Sequence, residues 1–242
     1  FSGLESVSYN INRKRADLKV FEFGKTYHNY SGGREEIKHL SLIISGERYS
    51  ERWNMLSAKG NFFYMKGIIQ SILERLGITN FKTGASKSDV FAEGLSLSSG
   101  KTKLVEFGVL KKNILKHFDI NQEVLYADLL WDAVLEVTKN QRNKYREIPK
   151  FPAVRRDFAL LLDNSVSYSQ VEEIAEQTEK KLLKSVNLFD VYQGSNLPEG
   201  KKSYAVSFTF QDEFKTMTDA QVDKIMKKLQ QRFEQELQAE LR

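Results

Sequence analysis

Cysteine is absent from the 242 residues, which excludes disulfides, zinc–thiolate centres and a cysteine nucleophile. Histidine is nearly absent: His28, His39 and His117 are scattered without the spacing of metal ligands. No run of about 18 apolar residues occurs, so no membrane-spanning helix is predicted. A basic or polar residue interrupts every short apolar run near the start, which leaves no secretory signal pattern. Residue 1 is Phe rather than Met, and we expect a piece of a longer chain. What is present is globular in composition, with 40% hydrophobic, 29% charged and 12% aromatic residues. The length predicts two domains. The net charge of +5 suggests a polyanionic partner.

Charge and proline are unevenly shared. Residues 1–148 carry 23 Lys and Arg against 17 Asp and Glu; residues 149–242 carry 14 against 15. All three prolines (Pro149, Pro152, Pro198) lie in that second part. Between the parts runs TKNQRNKYREIPKFP, Thr138 to Pro152, polar, basic and closed by two prolines that favour extended backbone before them. It reads as a linker, the alternative being a long surface loop within one domain. The predicted domains are 1–140 and 148–242.

The second domain reads as βαββα with room for a terminal strand, the ferredoxin-like βαββαβ order. RRDFALLLD (155–163) is the first strand. Ser169 and Glu172 are placed as a capping box opening a helix whose face is Val171, Ile174, Ala175, Thr178 and Leu182. SVNLFDVYQ (185–193) and SYAVSFTFQ (203–211) alternate as strands, with GSNLPEGKK as the loop between them. Thr218 and Gln221 form a second capping box, followed by Val222, Ile225, Met226, Leu229 and Phe233 at helical spacing.

Alternation assigns faces to these strands. Tyr204, Val206, Phe208 and Phe210 share the parity of a helix-covered core, which turns Ser203, Ala205, Ser207 and Thr209 outward. Matching Phe189 and Val191 to that core turns Leu188, Asp190 and Tyr192 to the open side. The open face is then small and polar, with an acceptor beside an aromatic ring. A ring can stack an unpaired base while polar groups read its edge. Tyr192 as a plain strand former on a solvated face is the alternative.

FPAVRRDFALLLD, LFDVYQG, GKKSYAVSFTFQ, the TMTD helix start and the closing AELR resemble, in order and spacing, the ferredoxin-fold anticodon-binding domain of phenylalanyl-tRNA synthetase β subunits. That resemblance implies anticodon contacts by Asp190, Tyr192 and Ser203: Tyr192 stacking on a base, Asp190 and Ser203 hydrogen-bonding base edges. Arg155, Arg156, Lys201 and Lys202 are candidates for phosphate contact or are simply solvated.

The first domain reads as α+β with an antiparallel sheet. Strands are predicted at 18–28, 37–46, 89–97, 101–110 and 123–130, and a helix over Asn61–Leu76 that Gly77 stops. ESVSYNINRKRADLKVFEFGKTY, ERWNMLSAKGNFFYMKGIIQSILERLGI and LVEFGVLKKNILKHFDI resemble the catalytic-like module of the same β subunits, of class II synthetase architecture. FAEGLSL and FGVLKKNILKHF depart from the usual Pro- and Gly-marked loops.

Class II chemistry needs an Arg on a strand to grip the ATP α-phosphate and a second Arg after a Gly-rich strand for the γ-phosphate. KVFEF holds no Arg, and the lysines of FGVLKKN lack the guanidinium fork. The module is therefore expected to be catalytically inactive and to bind no cofactor. The resemblance implies a catalytic α subunit as partner, phenylalanine-specific tRNA as ligand, and a cytoplasmic heterotetramer that uses ATP and magnesium. A free-standing RNA-binding or assembly protein is the alternative. Trp53, Phe62, Phe63 and Tyr64 are expected in the core, or else in the α-subunit interface. Arg13, Lys14 and Arg15 read as a solvated turn. GKT at 100–102 lacks the first glycine of a phosphate loop, position 95 being Leu, and reads as a hairpin turn.

Overall fold

A computed structural model describes residues 1–139, 145, 147–194 and 196–241. Its contacts divide the chain into two compact units, Phe1–Lys144 and Tyr145–Arg242. Much of the expected linker falls on residues 140–144 and 146, outside the described residues. No helix among the described residues is long and apolar enough to cross a membrane.

In the first unit, β1 (Leu18–Tyr30), β2 (Gly33–Ser45), β3 (Lys82–Ala85), β4 (Phe91–Ser99), β5 (Thr102–Leu110) and β6 (Val124–Leu130) form one antiparallel sheet. Its order is β1-β2-β6-β5-β4-β3. Gly100, at φ +59°, sits in the two-residue turn between Ser99 and Thr102, so GKT is a hairpin turn, as its sequence predicts.

The helices of this unit are α1 (Ser2–Ile11), α2 (Phe62–Arg75), α3 (Lys112–Lys116) and α4 (Trp131–Thr138). Both faces of the sheet are covered. Leu40, Leu42 and Ile44 of β2 pack with Met65, Ile69 and Leu73 of α2 and Val134 of α4; Ile43 packs with Leu4 and Val7 of α1 and Leu115 of α3. That is why Leu42, Ile43 and Ile44 are apolar in succession rather than alternating with polar residues. Asn61 caps α2 by accepting from the Tyr64 N–H, and Gly77 ends the turn at φ +82°. The aromatic group divides. Phe62 and Tyr64 pack against the core, but Trp53 and Phe63 are 99% and 76% exposed, so these two are not core residues.

The second unit contains β7 (Val154–Asp163), α5 (Tyr168–Thr178), β8 (Leu183–Tyr192), β9 (Lys201–Phe210), α6 (Asp219–Leu237) and β10 (Glu240–Leu241). This is the βαββαβ order, with the sheet arranged β10-β7-β9-β8, all antiparallel. The whole chain is thus α+β, the class expected. Both helices lie on one face, over Leu160, Leu162, Tyr204, Val206, Phe208 and Phe210. Phe208 is fully buried, edge-on to Phe158 at 5.7 Å and 6.0 Å from Phe233.

Two helix-start details differ in outcome. Thr218 and Gln221 form the expected capping box of α6. The box of α5 uses Ser167 and Gln170, not Ser169 and Glu172, so the helix begins two residues earlier. Both pairs have serine three residues before an amide or acid, and Val166, buried just before the cap, settles the earlier register. Leu182 lies beyond the end of α5 and packs on the core from the turn into β8.

Candidate nucleic-acid interface

The face of the second sheet away from the helices is built by register. Across β7, β9 and β8, Leu161 pairs with Ser203 and Ser203 with Tyr192; Ala159 pairs with Ala205 and Ala205 with Asp190. Asp157, Ser207 and Asn187 form the next row. Asp190, Tyr192 and Ser203 therefore share one face, as the sequence predicts. Asp190 is exposed and Tyr192 is 38% exposed, whereas Ser203, in the central strand, is only 7% exposed. The small, polar row centres leave the two edge side chains of β8 prominent.

A bulge in β8 shapes this face. Leu188 pairs with Val206, but Asp190 pairs with Ala205, so Phe189 is an extra residue between them. The expected parity is therefore wrong for the residues before the bulge. Leu188 packs on the core with Val186 and Leu183, while Phe189 and Val191 are both 49% exposed rather than buried. The Phe189 ring lies below the Arg155 guanidinium, 5.2 Å from centroid to Cζ. Arg155 in turn donates from Nε to Asp157 Oδ1 at 2.9 Å and from Nη2 to Oδ2 at 3.3 Å.

Glycine sets the ring position of Tyr192. A Cβ on Gly194 would lie 2.5 Å from the Tyr192 hydroxyl oxygen and 2.7 Å from its Cζ. The ring folds over bare backbone that no other residue type would leave open.

The basic candidates separate. Arg155 belongs to the open face. Lys201, opposite Asp163 in register, lies on the same face at its far end. The Asp163 carboxyl is held below its ordinary range by the Ser165 hydroxyl and backbone N–H, with smaller help from Lys201 and Lys202. Arg156 and Lys202 do not belong to this face. Arg156 pairs with Phe208, and its Nη2 donates to Asp219 Oδ1 at 2.6 Å. Lys202 is 7% exposed, its Nζ donating to the Asn164 carbonyl at 2.9 Å and lying 4.8 Å from the Tyr204 ring centroid. Strand parity places both on the helix side, which is the physical reason they are removed from the candidate phosphate contacts.

The sequence pattern does not place Phe189, Asp157 and Asn187 on this face. A signal was present: VNLFDV carries apolar residues in both parities, which one period-two strand cannot place on one side.

In the first unit a cavity of about 580 Å³ opens beside β1 and β2, lined by Val20, Phe21, Glu22, Ser41, Ile43 and Tyr126 among others. No Lys or Arg lines it among the described residues. Among the described residues its one charged side chain is Glu22, whose carboxylate disfavours a triphosphate. The Tyr126 hydroxyl, 3.2 Å from Ser41 Oγ, has its pKa raised chiefly by burial and so stays neutral there. Arg13 is exposed and folds back on Tyr9, its Nη1 donating to the Tyr9 carbonyl at 3.2 Å, in a turn where Lys14 adopts φ +63°.

Comparison with known proteins agrees with both halves. Residues 149–242 match the ferredoxin-fold anticodon binding domain, and residues 1–131 match the phenylalanyl tRNA synthetase beta chain CLM domain. The chain belongs to the phenylalanyl-tRNA synthetase β-chain family. It is 45% identical over its whole length to the phenylalanine–tRNA ligase β subunit of Bacteroides thetaiotaomicron and 39% identical to that of Porphyromonas gingivalis. In both cases it spans 31% of the relative's length. A pyrrolysyl-tRNA synthetase structure from Desulfitobacterium hafniense aligns with 57% of this chain and 47% of its own, at 16% identity and a TM-score of 0.45.

Proposed function

We propose that the second unit binds the anticodon of phenylalanine-specific tRNA through the open face of its sheet. The observation that carries this is the row geometry: Tyr192 beside Ser203 and Asp190 beside Ala205 give one ring and one acceptor on adjacent rows of a shallow polar surface. Tyr192 would stack on an unpaired base, and Asp190 would accept from a base amino or imino group, with Ser203 contributing at the row centre. Arg155 and Lys201 supply the positive charge on this side.

In this reading the first unit scaffolds a catalytic α subunit and performs no chemistry itself. A cavity lined, among the described residues, by the Glu22 carboxylate and by no Lys or Arg side chain supports the second part of that statement. The holoenzyme, cytoplasmic and heterotetrameric, would charge tRNA with phenylalanine using ATP and magnesium, and both would be held by α rather than by these residues.

The anticodon assignment is tested by comparing binding of the chain to phenylalanine-specific tRNA and to the same tRNA with a swapped anticodon. Weaker binding of the swapped tRNA is expected; equal affinity contradicts the proposal. Scaffolding is tested by co-expressing the full-length β chain with α, where a stable complex is expected. Failure to associate would favour a free-standing RNA-binding protein.

A further inference from the structure

We infer that the open face carries a second base-stacking position, formed by Phe189 and Arg155, which takes the nucleotide adjacent to the one on Tyr192. This rests on the anticodon reading above and extends it to two bases. Phe189 is displaced from the core by the bulge in β8 and is 49% exposed, although an aromatic ring in a four-stranded sheet with a helix-covered face is ordinarily buried. The position of its ring is fixed rather than free. Arg155 reaches across the central strand to lie 5.2 Å from the ring centroid, and Asp157 holds the guanidinium by two hydrogen bonds. Ser207, between Asp157 and Asn187 in register, is only 4% exposed, so the floor beneath this group is closed.

The chemistry suits an unpaired base. Bases stack both on aromatic rings and on guanidinium planes, and a cation beside the ring adds attraction for the electron-rich face of a base. Spacing suits it as well. Phe189 and Tyr192 are three residues apart in β8, roughly 7–10 Å along a strand that bulges at Phe189. That exceeds the 3.4 Å or so between stacked bases in a helix, as a splayed single strand requires. Asp190 stands between the two stacking positions, where an acceptor can serve either base edge. Because the Asp157 carboxylate balances the Arg155 guanidinium, the contacts of this position are to bases more than to phosphates, which accounts for a slightly acidic unit taking up a polyanion.

The test uses the full chain and phenylalanine-specific tRNAs in which single anticodon-loop nucleotides are replaced by abasic ones. Phe189→Ala should weaken binding of the intact tRNA by about five- to hundred-fold, the range for one base stack. It should also abolish the penalty of one abasic position, while Tyr192→Ala abolishes that of its neighbour. Phe189→Trp should retain affinity, and Phe189→Leu, which keeps volume but not the ring, should behave as the alanine variant does. Unchanged affinity in Phe189→Ala, or a change in thermal midpoint alone, overturns the second position. If Tyr192→Ala also binds as wild type, with no anticodon discrimination, the anticodon reading itself has failed.

Discussion

Leu188 and Asp190 are two residues apart in β8 yet lie on opposite faces of the sheet, Leu188 opposite the buried Val206 and Asp190 opposite Ala205. The bulge at Phe189 produces this reversal. Before it, Leu183, Val186 and Leu188 pack on the core; after it, Asp190 and Tyr192 are presented to solvent with the main chain still paired to β9. One inserted residue thus lets a single strand serve as core wall at one end and ligand surface at the other.

Gly194→Ala is expected to reduce tRNA affinity while leaving the fold intact. The added methyl would meet the Tyr192 ring at 2.5 to 2.7 Å, and the exposed side chain must move rather than the backbone. Circular dichroism should be unchanged and binding should fall in the same direction as for Tyr192→Ala. Wild-type affinity would show that the ring position does not matter.

Phe208→Ala should cost about 3–5 kcal/mol in urea unfolding, because it empties a fully buried site between Phe158 and Phe233. Against a total stability of about 5–15 kcal/mol, that is severe for a small unit. A loss below about 1 kcal/mol would mean that the site collapses around the deletion.

The two serines at the start of α5 should behave differently. Ser167→Ala removes the cap and should cost about 1 kcal/mol, as should Thr218→Ala at α6. Ser169→Ala touches only the Ser167 hydroxyl and should fall within about 0.5 kcal/mol of wild type. Equal costs for Ser167 and Ser169 would contradict the assigned helix start.

These contrasts show where the sequence was readable. α6, with an unambiguous box and five apolar residues at helical spacing, follows its pattern, and so does β9, whose alternation is unbroken from Ser203 to Phe210. α5 and β8 do not. Two overlapping serine boxes compete at one, and apolar residues in both parities conceal a bulge at the other, so local pattern cannot decide what packing decides. In the first unit, α1, β3, α3 and α4 went unread because they are short or flank strands. β1 gave a clear strand, but its sequence does not say that Phe21 and Phe23, at 71% and 57% exposure, lie at the sheet edge. Ser203 follows the unbroken alternation of β9, and Asp190 and Tyr192 match their expected face because the bulge restores parity after Phe189; Arg156 and Lys202 were named by charge, which does not assign a face, and strand parity puts them on the helix side.

Glu106 predicts an acid-sensitive step in the first unit. Burial alone would raise its pKa, but hydrogen bonds from Ser86 at 2.6 Å and Lys103 at 2.9 Å, with the Lys103 charge and the Lys87 N–H, outweigh it and hold the carboxyl below 4.5. A depressed folded-state pKa stabilises at pH values above the unfolded pKa and is lost as pH falls through the folded one. The thermal midpoint of wild type should therefore drop between about pH 5 and pH 3 more steeply than that of Glu106→Gln. The variant should be the less stable of the two at pH 7. Parallel curves would remove Glu106 from the account.

The most direct measurement is the affinity of Tyr192→Ala for phenylalanine-specific tRNA, set beside wild type at one fixed salt concentration. A loss of about 1–3 kcal/mol, with the discrimination against a swapped anticodon reduced, is the predicted result. Wild-type affinity with discrimination intact would contradict the claim that this face of the sheet reads the anticodon.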